Sequence, residues 1–130
     1  MSIVLGGMNL ERVRTLIIRG KTISAAHFIA GHPTCGKVHG HNYELVVGFK
    51  TKISISDSEA VDFHNLSQMI DKVIFVYDHN NLGDMTCETL AEDILLHLEK
   101  RLEQEETSKH SVTVAFVELY ETPKFGVRVN

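Results

Sequence analysis

Three histidines are spaced so that they could hold one metal ion. His39-Gly40-His41 places two imidazoles two residues apart, with a glycine between them. Alternate residues of a strand point to the same face of a sheet, so a strand that begins at His39 would project both rings together. His27 ends the preceding apolar segment and can lie across a β-hairpin from this pair. Three neutral imidazoles suit Zn²⁺, and three protein ligands leave one coordination position open for catalysis.

Spacing alone leaves other interpretations of these histidines open. A His-x-His pair also occurs as ordinary polar surface, and His32 and Cys35 in the intervening loop are rival ligands for a structural clip. Such a clip lacks the paired Cys-x-x-Cys spacing typical of structural zinc sites. Cys35 lies four residues before His39, where a nearby cation would favour a thiolate that acts as base or nucleophile. The alternative for a cysteine is an inert small side chain, which we expect for Cys87.

Two further positions carry groups that could move or hold protons. Asp78 precedes His79, and a carboxylate beside an imidazole can tune it as a general acid or base. The run from Asp78 to Asn81 is equally typical of a turn. Glu121 lies just before a turn that contains Pro123, where its carboxylate could accept paired N–H donors from a heterocycle or face solvent. Spacing alone favours solvent.

Apolar patterning predicts the hairpin that must position these groups. Residues 15–28 and 43–55 alternate and are rich in β-branched side chains, which indicates two strands, the first bent at residues 19–21. Residues 29–38 contain two glycines and a proline and are predicted to form the loop between them. One face of the second strand carries Leu45, Val47 and Phe49. Because Val46 and Gly48 alternate with these, the other face needs cover as well, which oligomerisation would supply.

Two helices and two more strands are expected after the hairpin. Helical spacing over residues 65–76 predicts a helix that begins near His64 or Asn65. Thr86 is a plausible N-cap for the second helix, whose apolar stripe consists of Leu90, Ile94, Leu98 and Leu102. Residues 111–121 and 125–129 predict the last two strands. The order ββααββ favours an α+β fold, with a four-stranded antiparallel sheet and both helices on one face.

Composition limits the class of protein. A chain of 130 residues fits one domain without disulfides, and its net charge of −4 gives no case for nucleic-acid binding. No stretch approaches the roughly 18 apolar residues of a membrane span, and we see no signal peptide at the start. Two cysteines are not a disulfide framework, so we expect free thiols in a reducing cytoplasm.

Six short motifs together resemble the 6-pyruvoyltetrahydropterin synthase superfamily, and more narrowly its 6-carboxytetrahydropterin synthase branch. The resemblance runs from about residue 23 to residue 129. Its markers are Ala25-Ala26-His27, Cys35-Gly36-Lys37-Val38-His39-Gly40-His41-Asn42-Tyr43, Val61-Asp62-Phe63, Tyr77-Asp78-His79-Asn80-Asn81-Leu82, Thr86-Cys87-Glu88 and Tyr120-Glu121-Thr122. Each motif alone is modest, whereas six in family order are specific.

The resemblance implies a T-fold, or tunnelling fold, in which several sheets close into a barrel. Members are commonly homohexamers of two stacked trimers, with active sites between subunits. This implication agrees with the need to cover the second face of the sheet.

The resemblance also implies roles for particular residues. His27, His39 and His41 would hold zinc, and Cys35 would be the catalytic base, with Asp78 and His79 as its proton relay. Glu121 would anchor the pterin ring through its N–H groups, assisted by Thr86 and Glu88. The implied substrate is 7,8-dihydroneopterin triphosphate.

The implied reaction is that of a zinc-dependent carbon–carbon lyase forming 6-carboxy-5,6,7,8-tetrahydropterin, on the deazapurine route to queuosine or archaeosine. The short Cys35-x-x-x-His39 spacing resembles this branch, whereas pyruvoyl-forming members usually have more residues there. A 6-pyruvoyltetrahydropterin synthase, which eliminates triphosphate from the same substrate, is the alternative. A third branch, which makes a hydroxymethyl dihydropterin for folate, has glutamate where this chain has Cys35.

The sequence departs from the family pattern in three places. Met85 stands where members usually have proline, and residues 1–14 carry no strong marker and are expected to be a loosely ordered N-terminal segment. The loop at residues 29–34 is shorter than is usual in the family and has few basic residues. The candidates for contacts to the triphosphate are Lys37, Lys124 and Arg128.

Two interpretations from other classes stay open. Zinc-bound hydroxide could act in hydrolysis, with Asp78 or Glu121 as base and no need of the Cys35 thiol. Alternatively, the histidines could form a structural zinc clip in a non-catalytic binding domain. Removal of the Cys35 thiol separates these possibilities, because a clip would lose zinc and folding together.

Overall fold

A computed structural model describes residues 11–54, 61–105 and 111–130. Its elements are β1 (Glu11–Phe28), β2 (His39–Ser54), α1 (Phe63–Ile74), β3 (Asn81–Asp84), α2 (Cys87–Gln104), β4 (Ser111–Tyr120) and β5 (Gly126–Val129). In these described ranges the strands form one sheet in the order β3-β1-β2-β4-β5. The predicted α+β class and the single hairpin-centred sheet are confirmed. No helix among the described residues is long and apolar enough to cross a membrane.

The expectation of four strands was wrong by one, because β3 lies between the two helices and pairs parallel with β1. Its residues have little intrinsic strand preference, and Asn81 ends a run of residues that is typical of a turn. Backbone hydrogen bonds to β1 flank it on both sides, from Ala26 N–H to the Asn80 carbonyl (3.0 Å) and from Met85 N–H to the Phe28 carbonyl (3.1 Å). Tertiary pairing, rather than local propensity, therefore makes this strand.

The long β1–β2 hairpin sets the position of the candidate ligands. Its register pairs His27 with His39 and shifts between Ile18 and Lys21, which confirms the bend predicted at residues 19–21. Gly20 has φ of 81° at the bend, a conformation that glycine adopts without strain.

The N-terminal part of β1 differs from expectation. Residues 11–14, part of the segment we expected to be loosely ordered, pair with residues 51–54 of β2. Residues 1–10 and the predicted strand end at Ile55 lie outside the described residues. β1 therefore begins four residues earlier than its alternation indicated.

Both helices pack on one face of the sheet, as predicted. Leu45, Val47 and Phe49 of β2 are buried on that face in one apolar cluster with residues of both helices, among them Leu66 and Ile94. The opposite face is covered unevenly, because Val46 and Phe116 are buried whereas Val13 and Ile17 are about half exposed. Oligomerisation that covers this face stays a prediction.

The helix starts are explained by capping side chains. Thr86 is the N-cap of α2, as predicted, and its hydroxyl accepts a hydrogen bond from the Thr89 N–H (3.1 Å). Helix α1 begins at Phe63, one or two residues before the start that we expected near His64 or Asn65. Asp62 is the N-cap, and its carboxylate accepts from the His64 N–H (2.8 Å).

Candidate metal centre

The three predicted zinc ligands meet at one end of the hairpin, together with a carboxylate. His27, His39, His41 and Glu121 each offer one ligand atom, and these atoms lie within 4.8 Å of one another. The three imidazole ring centroids are separated by 4.6, 4.8 and 5.0 Å. Cross-strand pairing of His27 with His39 and the two-residue strand period produce this convergence.

Backbone carbonyls orient two of the imidazoles. His27 Nδ1 lies 2.7 Å from the Met85 carbonyl oxygen, and His39 Nδ1 lies 2.7 Å from that of Lys37. Because a carbonyl only accepts, both Nδ1 atoms carry a proton, and in the neutral ring each Nε2 atom presents a lone pair. A hydrogen bond of this kind fixes the ring and tautomer of a metal-binding histidine.

Buried nitrogens without partners indicate what the cluster is built to hold. His27 is 1% exposed, and the Nε2 atoms of His27 and His41 are buried with no hydrogen-bond partner among the described residues. His41 Nε2 lies 2.9 Å from Glu121 Oε1, yet the orientation is not that of a hydrogen bond. Buried polar atoms normally have a partner, so a cation bound by these lone pairs fits the site. An all-nitrogen set of imidazoles suits zinc.

The surroundings of His41 favour the neutral form that a metal requires. Burial lowers the pKa of His41, and the neighbouring His27 and His39 lower it further, while the Glu121 carboxylate opposes the shift. A neutral imidazole is ready to bind a metal without first losing a proton.

Glu121 does not simply face solvent, as spacing alone favoured. It is 21% exposed and lies beside the histidines, with Oε1 3.8 Å from His27 Nε2 as well. Its backbone N–H donates to the Phe125 carbonyl (2.9 Å), which fixes it where β4 enters the turn to β5. The carboxylate can therefore bind a metal or accept hydrogen bonds from a ligand held there.

The proposed base and relay lie outside this cluster in a single chain. Cys35 is half-buried in the loop after β1, where its thiol lies 3.7 Å from Thr34 Oγ1. Asp78 accepts a hydrogen bond from the Ser24 N–H (2.8 Å) and lies 2.9 Å from His79 Nδ1. The Ser24 hydrogen bond, helped by His79, lowers the pKa of Asp78, so the carboxylate is charged.

His79 is held in an unusual position. Its side chain is 81% exposed, its φ is 60°, and its N–H donates to the Ser24 carbonyl (2.6 Å). A positive φ is uncommon for histidine and is kept by surrounding contacts, often at functional sites. His79 and His41 line one open groove, together with Gly40 and Asn42. His79 is thus hydrogen-bonded to β1 and shares an open groove with one zinc-ligand candidate, His41.

The other substrate-binding candidates have distinct surroundings. The Thr86 hydroxyl is occupied by the α2 N-cap and by Thr89 Oγ1 (3.0 Å), whereas Glu88 and Glu121 line one small cleft. Of the three basic candidates for the triphosphate, Arg128 is already paired with Glu118 (2.7 Å). Lys37 and Lys124 are both exposed.

Cys87 is buried at the start of α2, where its thiol contacts the Leu119 carbonyl of β4. We predict that it reacts with alkylating reagents more slowly than Cys35. Burial, helped by the nearby carboxylates of Glu121 and Glu88, raises the pKa of Cys87 to about 11. Since the thiolate is the nucleophile and burial keeps Cys87 protonated, iodoacetamide at pH 8 should modify the half-buried Cys35 at least about tenfold faster than Cys87. Mass spectrometry of peptides after timed quenching measures both rates. Equal rates in the folded protein would contradict the burial of Cys87.

The raised pKa of Cys87 also makes the stability of the folded protein depend on pH. The folded protein holds the Cys87 proton more tightly than the unfolded chain, so this contribution is present below pH 9 and is lost as the pH rises toward 11.

Three contributions to the site were missed in the sequence. The carbonyls of Met85 and Lys37 belong to the backbone and have no residue-type signal. Tyr43 does have one, because it continues the His39-x-His41 alternation onto the same face. Its buried hydroxyl has no partner among the described residues, its ring lies 5.4 Å from that of His41, and burial raises its pKa strongly. His32, considered as a rival ligand, is outside the cluster.

The fold and the site define a small α+β protein that carries a three-histidine, one-carboxylate candidate metal centre between a β-hairpin and the turn after β4. Residues 16–130 match the family described as 6-pyruvoyl tetrahydropterin synthase. The chain belongs to this family.

Relatives and solved structures agree with that membership. A proposed 6-carboxy-5,6,7,8-tetrahydropterin synthase of Archaeoglobus fulgidus is 33% identical over 94 residues, which are 72% of this chain and 81% of that protein. One of Methanocaldococcus jannaschii is 32% identical over 46% of this chain and 37% of its own length. The fold is similar to that of 6-pyruvoyl tetrahydropterin synthase from Caenorhabditis elegans, with a TM-score of 0.75 at 19% identity over 95% of this chain and 98% of that one. The expectation of a T-fold chain is thereby confirmed, whereas the closure of several copies into a barrel stays a prediction.

Proposed function

We propose that this chain is a zinc-dependent lyase that converts 7,8-dihydroneopterin triphosphate to 6-carboxy-5,6,7,8-tetrahydropterin. The observation that carries the proposal is the convergence of three imidazoles with buried, unpartnered nitrogens, in a member of a tetrahydropterin synthase family. The names of the archaeal relatives and the short spacing from Cys35 to His39 favour the carboxy product. The route served would then be deazapurine synthesis toward queuosine or archaeosine.

His27, His39 and His41 would hold the zinc ion through Nε2 atoms. When bound, zinc would act as a Lewis acid toward the hydroxyls of the substrate side chain and make the adjacent carbon-bound proton more acidic. The Met85 and Lys37 carbonyls keep two of the imidazoles in the correct tautomer and orientation. Two of the three proposed ligands would thus be oriented before metal or substrate binds.

Cys35 would take the carbon-bound proton, and Asp78 with His79 would move protons to or from it. None of these three residues is among the clustered ligand groups of the described residues, so we propose that they act across a subunit boundary, in an assembly such as a T-fold homohexamer. The exposed His79 ring, held at positive φ beside a charged Asp78, would be available to an adjacent copy.

Glu121 would bind the pterin ring by accepting hydrogen bonds from its amino and ring N–H groups, with Thr86 and Glu88 assisting. A carboxylate paired with such donors is selective, because a ring without them leaves buried charge unsatisfied. Glu121 lies beside His41, which supports the proposal, because a ring held in this way would lie next to the imidazoles.

Removal of the metal tests this proposal. Dialysis against a chelator should abolish turnover of 7,8-dihydroneopterin triphosphate, and one equivalent of zinc per chain should restore it. Chromatography of the reaction mixture measures this turnover. Circular dichroism before and after dialysis checks that the fold survives, as expected because the sheet core does not include the ion. Unchanged turnover after complete metal removal would contradict the proposal.

A 6-pyruvoyltetrahydropterin synthase is the second candidate, favoured by the name of the matching family and of the C. elegans structure. It would use the same metal and anchor residues on the same substrate. The product alone distinguishes the two reactions.

A further inference from the structure

The loop that carries Cys35 is wound around the side chain of His32. His32 Nδ1 accepts a hydrogen bond from the backbone N–H of Cys35 (2.9 Å) and another from that of Thr34 (3.2 Å). The Thr34 hydroxyl also lies 3.2 Å from the same nitrogen. A ring nitrogen that accepts backbone N–H groups carries no proton, so His32 has its proton on Nε2.

Backbone contacts complete the loop. The Ile29 N–H donates to the Cys35 carbonyl (2.7 Å), and the His32 N–H donates to the Ile29 carbonyl (3.1 Å). A Cβ at Gly36 would lie 2.6 Å from the His32 carbonyl oxygen, so the chain packs against itself where only glycine fits. Asp84 joins the loop to β3 by accepting from the Ala30 N–H (3.1 Å).

These contacts fix the backbone of Cys35 on both sides. His32 holds its N–H and Ile29 holds its carbonyl, whereas the thiol itself makes one weak polar contact, with Thr34. The direction of the thiol therefore depends on the backbone, and the one side chain that orders this backbone is His32, as far as the described residues show.

We propose that His32 is a positioning residue, which sets the direction of the Cys35 thiol by accepting the two N–H groups of the loop. The inference rests on the proposed role of Cys35 as base. His32 does not belong to the metal-binding cluster, so its effect reaches the site through the loop rather than through the ion.

Three substitutions separate this role from simple packing. His32→Ala removes the acceptor, and His32→Phe keeps a ring of similar size without one. His32→Asn restores an acceptor, because asparagine side chains accept from N–H groups two and three residues on. Each zinc-loaded full-length protein is measured for zinc content, kcat, KM and the rate at which iodoacetamide modifies Cys35, with the buried Cys87 as internal reference.

For His32→Ala and His32→Phe we expect Cys35 to be alkylated about tenfold faster, because the loss of hydrogen bonds of ordinary net strength corresponds to a change of about that factor. Their kcat should fall about tenfold, because the thiol is misplaced, with KM and zinc content unchanged. His32→Asn should lie within about twofold of the parent protein in every measurement.

Equal alkylation rates in all four proteins would overturn the proposal, as would a His32→Asn protein that behaves like His32→Ala. Loss of zinc in His32→Phe would overturn it too, by showing that His32 acts on the metal. Alkylation needs no turnover, so it tests the loop even if the parent protein fails to act on the pterin. Failure of the proposed function is therefore distinguishable from failure of this inference.

Discussion

Replacement of Cys35 by alanine is expected to lower the turnover of 7,8-dihydroneopterin triphosphate by a factor of about 10²–10⁴, the usual contribution of a general base. Zinc should stay bound, because the thiol is not among the four clustered ligand groups. The measurements are kcat and the zinc content of the same preparation. Cys87→Ala is the matched control, since it removes the other thiol of the chain, and its turnover should be unchanged.

Each contrary outcome for Cys35→Ala supports a different interpretation. Full turnover with zinc retained would favour hydrolysis by a metal-bound hydroxide, which needs no thiol. Loss of zinc and of folded structure together would favour a structural clip that includes Cys35. Either result would contradict the role of Cys35 as base.

The second large effect is expected for His39→Ala. Three imidazoles hold the proposed ion, so removal of one should reduce zinc from about one per chain to a small fraction after dialysis, and turnover should disappear. His39 lies at the start of β2 and is only partly buried, so the fold should survive the change. Metal analysis after dialysis, with circular dichroism on the same sample, measures both effects.

His64→Ala is the control for this experiment. His64 is exposed at the start of α1, and its backbone N–H, not its ring, takes part in the N-cap of that helix. The variant removes one histidine at no cost to the cluster and should keep both zinc and activity. Full zinc occupancy in His39→Ala would mean that other residues hold the ion.

Local periodicity was sufficient to predict that the three histidines of the site lie together. His39 and His41 share a face because strand side chains alternate, and His27 joins them because a hairpin brings the end of one strand beside the start of the next. The family motifs then selected zinc among the alternatives. The same local rules placed the N-cap at Thr86 and the apolar stripe of α2.

Contacts between segments that are distant along the chain could not be predicted from local sequence patterns. Strand β3 exists because Asn81–Asp84 lies against β1, not because its residues prefer a strand. Spacing alone favoured solvent for Glu121, since nothing local shows that β4 ends beside the hairpin, and only the family resemblance assigned this residue to the site. The Met85 carbonyl that orients His27 has no side-chain signature, and it lies 58 residues away along the chain.

The relation of Cys35 to Asp78 and His79 is a different case. Their types and motifs were recognisable, yet none of them is among the four clustered ligand groups of the described residues. Residues that act across a subunit boundary are brought together by symmetry between copies, which is not encoded in the local pattern of one chain. The half-exposed apolar side chains of Val13 and Ile17, on the unevenly covered face of the sheet, would be buried in such an assembly.

The most direct test is to incubate the zinc-loaded protein with 7,8-dihydroneopterin triphosphate and to identify the pterin product by mass spectrometry. We predict 6-carboxy-5,6,7,8-tetrahydropterin, with release of acetaldehyde and triphosphate. A pyruvoyl product would keep the proposed site residues but move the chain to the other branch of the family. No conversion by protein with full zinc occupancy would contradict the proposed lyase activity.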